Sequence, residues 1–224
     1  MILYFSATGN NKYVAERVAA ATGDRLVSIA ECVKTGRCAL TLAENEGLGL
    51  VTPTYFWGLP SIVVDFLKQL DIRPNGKNYA WHVLTFGTVT GAANSAMAKL
   101  LRAKGFALQG RFAVQMVDTW TPMFDLSDAE KNQRVTEAAE PQIDAVIEKV
   151  QARAEGDFNR HKGFPVGAGI AQAIYQQKRK TKWFTVSDIR HTVPGPDGKA
   201  RPVRSPKGKA VNIPSGYSCC ITVA

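Results

Sequence analysis

MILYFSATGNNKYVAERVA, residues 1–19, carries an apolar strand-like segment, MILYF, straight into SATGNN and from there into a helical pattern. Small and hydroxyl-bearing residues at such a junction cost stability, which points to something outside the protein that offsets the cost. After the junction, Val14, Val18 and Ala21 fall near helical spacing and Gly23 is a natural stop. A strand, a loop of this composition and a helix make one unit, and the chain repeats that unit.

DRLVSIA (24–30) reads as a second strand and GLGLVTP (47–53) as a third, whose near-continuous apolarity suits burial on both faces. LPSIVVDFLKQL (59–70) reads as a helix with Pro60 in its first turn. YAWHVLTFG (79–87) is a fourth strand, GAANSAMAKLLRAKG (91–105) a helix ending at glycine, and FALQGRFAVQMVD (106–118) holds a fifth strand. The stretch 127–156 supplies the last helical pattern, with Ser127 and Glu130 spaced as a capping box and Pro141 as an expected break. Strands alternating with helices predict an α/β fold: a parallel sheet with helices on both faces. Five such strands fit either a flavodoxin-like or a dinucleotide-binding order, and periodicity does not choose between them.

The bulk numbers fit one medium domain with an appendage. The chain has 224 residues, and its net charge of +9 belongs entirely to the C-terminal part. Residues 1–156 carry 16 Lys and Arg against 16 Asp and Glu, whereas 157–224 carry 12 against 3. The basicity therefore says little about the main domain. No apolar run approaches bilayer length, and the first residues lack a basic leader and a small-residue cleavage site, so a cytoplasmic protein is the expectation. Cys32, Cys38, Cys219 and Cys220 have neither zinc nor disulfide-framework spacing.

In α/β sheets of this kind, ligands sit at the carboxyl ends of the strands. Three of those ends are chemically unusual here. SATGNN (6–11) lacks G-x-G-x-x-G and lacks G-x-x-x-x-G-K-[ST], which disfavours a dinucleotide or a nucleoside triphosphate. It offers the hydroxyls of Ser6 and Thr8, a tight turn at Gly9 and the amides of Asn10 and Asn11, at a helix N-terminus that favours an anion. One phosphate monoester fits; an ordinary helix cap is the bland alternative. TPTYFWGLP (52–60) sets Tyr55, Phe56 and Trp57 in a row between Pro53 and Gly58. Three consecutive loop aromatics cannot all be buried by periodicity, so they cover a flat ligand or the sheet edge. TFGTVTGA (85–92) combines small residues with Gly87 and Gly91, either to admit a ligand's polar edge or to make a plain βα turn. Together the loops describe a pocket for a phosphate at one end and a flat heteroaromatic at the other.

These residues carry a resemblance. FSATGNNKYVAERVA resembles the phosphate loop of flavodoxins, and PTYFWGLP resembles their aromatic loop beside the flavin; the likeness spans roughly 1–155. DTWTPMFDLSDAEKNQR (118–134) is similar to the matching segment of a narrower group, flavodoxin-like proteins fused at the C-terminus to a two-cluster bacterial ferredoxin. The resemblance implies a five-stranded sheet in order 2-1-3-4-5 and FMN as cofactor. It assigns the FMN phosphate to Ser6, Thr8, Gly9, Asn10 and Asn11, where Asn11 replaces the Thr or Ser usual in flavodoxins. It wraps the ring with Thr52, Pro53, Thr54, Tyr55, Phe56, Trp57 and Gly58, Tyr55 or Trp57 being the expected stacking ring. It brings Thr85, Phe86, Gly87, Thr88 and Gly91 to the pyrimidine edge, and Trp120 and Phe124 over the other face.

No residue is required as general acid or base, because the flavin carries the redox chemistry. His82, His161 and His191 read as core or solvated residues. The implied function is FMN-dependent electron transfer with a redox protein partner such as a ferredoxin or a reductase, and with neither nucleic acid nor a membrane span. The alternatives are an NAD(P)H-dependent FMN or quinone reductase on the same fold, and a cofactor-free remnant acting as an interaction module.

The tail departs from the group. Two iron–sulfur clusters need eight cysteine ligands, and only Cys219 and Cys220 occur after KWFTVSD (182–188). Residues 189–224 hold five prolines and four glycines with no sustained period. They read as an out-of-frame segment starting near Ile189 or as a degenerate domain; a basic nucleic-acid arm fits less well because the charges are spread without interleaved aromatics. The expected division is a flavodoxin-like domain at 1–156, a connecting segment with a short helix at 157–188, and an irregular basic tail at 189–224.

Overall fold

The computed structural model describes residues 1–119, 126–163, 191–194 and 200–203. The first two stretches build one doubly wound sheet. In chain order its elements are β1 (Ile2–Tyr4), α1 (Asn10–Thr22), β2 (Leu26–Ser28), α2 (Ile29–Thr35), β3 (Leu48–Pro53), α3 (Ser61–Gln69), β4 (Ala80–Phe86), α4 (Ala93–Arg102), β5 (Leu108–Gln115), α5 (Ala129–Gln151) and β6 (Gly156–Asp157). The spatial order is β2-β1-β3-β4-β5-β6, and every pairing among these is parallel. This is the flavodoxin-like fold with order 2-1-3-4-5, extended by the two-residue edge strand β6. Residues His191–Pro194 (β7) and Ala200–Val203 (β8) pair as a separate antiparallel ladder.

Strand alternation divides the core into two layers. Leu3, Leu48, Leu50 and Leu84 point to one face, where they pack with Val63, Phe66 and Leu67 of α3 and Met97 and Leu101 of α4. Ile2, Val51, Trp81, Val83 and Phe112 point to the other, against Val14 and Val18 of α1 and Ile143, Val146 and Val150 of α5. All seven residues of β4 are buried, as expected for a central strand covered on both faces. Because the strands are parallel, the loops after β1, β3, β4 and β5 all emerge at one edge of the sheet.

Three local expectations are corrected. A second helix, α2, follows β2 directly: the Ser28 hydroxyl caps it by accepting the Glu31 N–H at 3.3 Å, and Ile29 and Cys32 face the core. The cap of α5 is Asp128 rather than Ser127, its carboxylate accepting the Lys131 N–H at 2.9 Å. Pro141 does not break α5, which runs through it. Ala139, Ile143, Val146 and Val150 keep one apolar stripe seated on the sheet across the proline, and that packing outweighs the lost backbone hydrogen bond. On its outer side, α5 is tied to α1 by Arg17, which bridges Glu140 and, at 2.8 Å, Asp144. Cys32 lies buried in α2, and burial pushes its thiol up, as for a small packing residue. Of the connecting segment expected at 157–188, residues 157–163 are described and are not helical, and the rest lies outside the described residues, as do Trp120 and Phe124.

Candidate functional site

The loop after β1 makes a tight turn into α1. Gly9 adopts φ +104°, and nothing lies within 4 Å of where a Cβ would stand. The Ser6 hydroxyl accepts the Gly9 N–H at 3.1 Å. Among the described residues no side chain caps α1, and no acidic residue occupies its first turn, so the positive end of the helix and its first N–H groups face the loop. Thr8 and Asn10 are half-buried. The Thr8 hydroxyl accepts from Thr119 at 3.3 Å, and the Asn10 amide donates to the Val117 carbonyl at 3.0 Å, which joins this loop to the one after β5. Asn11 points the other way. It is 3% exposed, and its Oδ1 accepts the Thr85 hydroxyl at 3.0 Å across the sheet end. It thus braces the loop, and the amide expected at the phosphate belongs to the protein interior.

The aromatic loop is a four-residue turn closed by two backbone hydrogen bonds, Tyr55 N–H to the Gly58 carbonyl at 2.9 Å and Gly58 N–H to the Tyr55 carbonyl at 3.0 Å. Its central residues, Phe56 and Trp57, both lie in the left-handed region, at φ 48° and 60°. Positive φ at both central positions is the geometry of a type I′ turn, ordinarily filled by Asn and Gly. Two bulky aromatics there are strained by roughly 1–3 kcal/mol each. Their side chains are also out in the open, 37% and 42% exposed. Tyr55 instead turns inward, edge-on to Phe5 with centroids 6.5 Å apart. Of the three consecutive aromatics, Phe56 and Trp57 are the more exposed, and Tyr55 is partly buried against the core.

Around that turn, Pro53 ends β3 and Thr52 is buried, its hydroxyl 2.9 Å from His82 Nε2. The Thr54 N–H continues the ladder to the Thr85 carbonyl, but the buried Thr54 Oγ1 has no hydrogen-bond partner among the described residues. An orphaned hydroxyl costs about 1–3 kcal/mol unless something pairs with it. Gly58 is buried beneath the turn.

The loop after β4 supports the turn. Gly91 has φ +55°, and a Cβ on it would stand 2.2 Å from the Trp57 carbonyl oxygen; the neighbouring Ala92 N–H donates to that same oxygen at 2.9 Å. Gly87 has Asp118 pressed against it, and its carbonyl accepts from Gln115 at 2.9 Å. Thr88 is exposed, whereas Thr85 and Phe86 are buried, Phe86 lying 4.8 Å from the His161 ring. The expected residues thus sort into two layers. Ser6, Thr8, Gly9, Asn10, Thr54, Phe56, Trp57, Gly58, Gly87 and Thr88 lie at the loop edge. Asn11, Thr52, Pro53, Tyr55, Thr85, Phe86 and Gly91 hold those loops in place. Linear spacing gave no signal for Asp118, Asn94 or Asn159, which meet the site only through the fold. A separate cleft of about 450 Å³, lined by Pro74, Tyr79, Phe106 and Arg153 among others, lies at the amino ends of the strands, away from all of these loops.

A parallel sheet in this order, with an uncapped helix N-terminus and an aromatic turn at its carboxyl edge, defines the flavodoxin-like class. The sequence profile described as Flavodoxin domain matches residues 1–144, and the chain belongs to that family. No curated protein matches the chain. Among solved structures it is similar to the flavodoxin of Streptococcus pneumonia TIGR4, at 20% identity and TM-score 0.36 over 65% of this chain and 97% of that one. It is similar also to an FMN-dependent NADH-azoreductase of Bacillus anthracis in complex with FMN, at 11% identity and TM-score 0.40 over 69% and 99%. A third is the rubredoxin oxygen:oxidoreductase of Desulfovibrio gigas, at 19% identity and TM-score 0.39 over 64% of this chain and 35% of that one. Among the described residues no helix is long and apolar enough to cross a membrane.

Proposed function

We propose that the protein binds FMN at the carboxyl edge of its sheet and serves as an electron carrier. The observation that carries this reading is the Tyr55–Gly58 turn. It sets Phe56 and Trp57 in strained left-handed backbone with more than a third of each exposed, beside a buried Thr54 hydroxyl that has no hydrogen-bond partner among the described residues. A flat ring laid against Phe56 or Trp57 would cover their exposed faces, and a polar atom at its edge would pair with Thr54. The phosphate would sit at the first turn of α1, held by backbone N–H groups and the Ser6 and Thr8 hydroxyls. Bound FMN supplies the redox chemistry. The chain's own residues would orient the ring, exclude water from one face, and set the charge near its edge, with Asp118 packed against Gly87 in the loop after β4.

The partner on this reading is another redox protein, and the setting is cytoplasmic. The chain would descend from the ferredoxin-fused subgroup, with its cluster ligands absent, and the stretch after residue 188 would be a frameshifted or degenerate remainder. Reductive titration of the FMN-loaded protein, with NADH and NADPH tested separately, discriminates the classes. Reversible reduction by dithionite or a ferredoxin, with negligible nicotinamide oxidation, supports a carrier. Rapid turnover of NADH or NADPH would make it a reductase.

A further inference from the structure

One buried polar chain links the sheet interior to the segment after β6, and a backbone donor fixes its polarity. The His161 N–H donates to Asn159 Oδ1 at 2.9 Å, so Asn159 Nδ2 is the donor to Thr90 Oγ1 at 2.8 Å and to Asn94 Oδ1 at 2.7 Å. Asn94 Nδ2 then donates to His82 Nδ1 at 3.1 Å, which leaves His82 Nε2–H to donate to Thr52 Oγ1 at 2.9 Å. Thr90 closes the other end: its N–H and its hydroxyl both donate to the His161 carbonyl, at 2.8 and 3.1 Å. Thr52, His82, Thr90, Asn94 and Asn159 are each 5% exposed or less.

Both ends of this chain stop at the candidate ligand loops. Thr52 lies two residues before the orphaned Thr54. Thr90 adjoins Gly91 and Ala92, which touch and hydrogen-bond the Trp57 backbone. The segment carrying Asn159 is itself anchored. Phe158 stacks on Phe112 with centroids 5.3 Å apart and rings nearly parallel, the Phe158 N–H donates to the Arg111 carbonyl at 2.8 Å, and Lys162 pairs with Asp157 at 2.7 Å. A buried polar network is tolerated only when its members are satisfied, and then it selects one arrangement over others of similar packing.

We propose that Asp157–Lys162 is a clasp, with Asn159 as its positioning residue, that sets the loop 87–92 and the turn 55–58 for ligand binding. The ligand side of this rests on the FMN assignment above. The unit that makes the site then extends to about residue 162, past the end of the family match at 144 and into the stretch expected to be a connector.

The test uses the full chain and three variants: Asn159→Ala, the near-isosteric Thr90→Val, and Val150→Ala, which weakens α5 packing without touching the network. Amide exchange without FMN is read first. Asn159→Ala and Thr90→Val should speed exchange at Thr90 and Ala92 tenfold or more beyond Val150→Ala, with the β3 amides unchanged. FMN binding should weaken at least tenfold in the same two variants and shift the flavin potential, and neither should change in Val150→Ala. Exchange at Thr90 and Ala92 no faster than in Val150→Ala overturns the clasp. Loosened loops with unchanged FMN affinity overturn its positioning role. If the unaltered protein ignores FMN, the flavin assignment falls, and the exchange experiment still decides the clasp by itself. Thr90→Val keeps the test open should Asn159→Ala fail to fold.

Discussion

His82 gives the structure a measurable response to acid. It is fully buried in the middle of β4, and burial pushes its imidazole down from 6.5 to about 3. The folded state therefore holds the neutral ring, as its acceptor role toward Asn94 requires. Below pH 6.5 the unfolded chain takes up a proton that the folded one refuses, so stability is complete above 6.5 and falls with pH down to about 3. One proton corresponds to about 1.4 kcal/mol per pH unit, and the step from pH 7 to pH 5 costs about 2 kcal/mol. Glu46, held down to about 2 by Arg25, the Ala43 N–H and the Met1 amino group against its burial, loses its contribution only below 4.5 and leaves that window clear. Urea denaturation of the apoprotein at the two pH values, followed by tryptophan fluorescence, measures the step. His82→Gln should be less stable at pH 7 but lose about 2 kcal/mol less between pH 7 and pH 5. Equal losses in both proteins would refute a neutral, buried His82.

The strained turn makes a second prediction with opposite signs. Replacing Phe56 and Trp57 by Asn and Gly should stabilise the apoprotein by roughly 1–2 kcal/mol in urea, while weakening FMN binding tenfold or more. Gly91→Ala should cost at least about 2 kcal/mol, since it combines positive φ with a collision against the Trp57 carbonyl; the urea midpoint reads it. Pro141→Ala, at an exposed position inside α5, should stabilise by about 1–3 kcal/mol and raise the melting temperature.

The sheet was legible because its signals are local and repeated. Apolar strands at 47–53 and 79–87 and the periodic helices between them leave few arrangements, and the loop compositions point to one edge. What stayed hidden was set by tertiary contact. Pro141 reads as a break until the apolar stripe on either side of it finds the sheet. The short helix α2 has a cap at Ser28 but too few residues to show a period. Tyr55, Phe56 and Trp57 are alike as sequence, and only the turn geometry separates the inward ring from the two outward ones. Asn11 reads as a ligand donor because nothing local reveals that Thr85 lies opposite. His82, Asn94 and Asn159 share no spacing at all, so a network joining them is visible only once the fold is built.

Titration of the apoprotein with FMN, read by flavin fluorescence and visible absorption, tests the central claim most directly. Saturable 1:1 quenching with shifted flavin bands, its affinity weakened tenfold or more when Phe56 and Trp57 are replaced by Asn and Gly, is the predicted result. Flavin fluorescence and bands unchanged by excess protein would contradict it, and would leave SATGNN as an ordinary βα turn and the aromatic turn without a ligand.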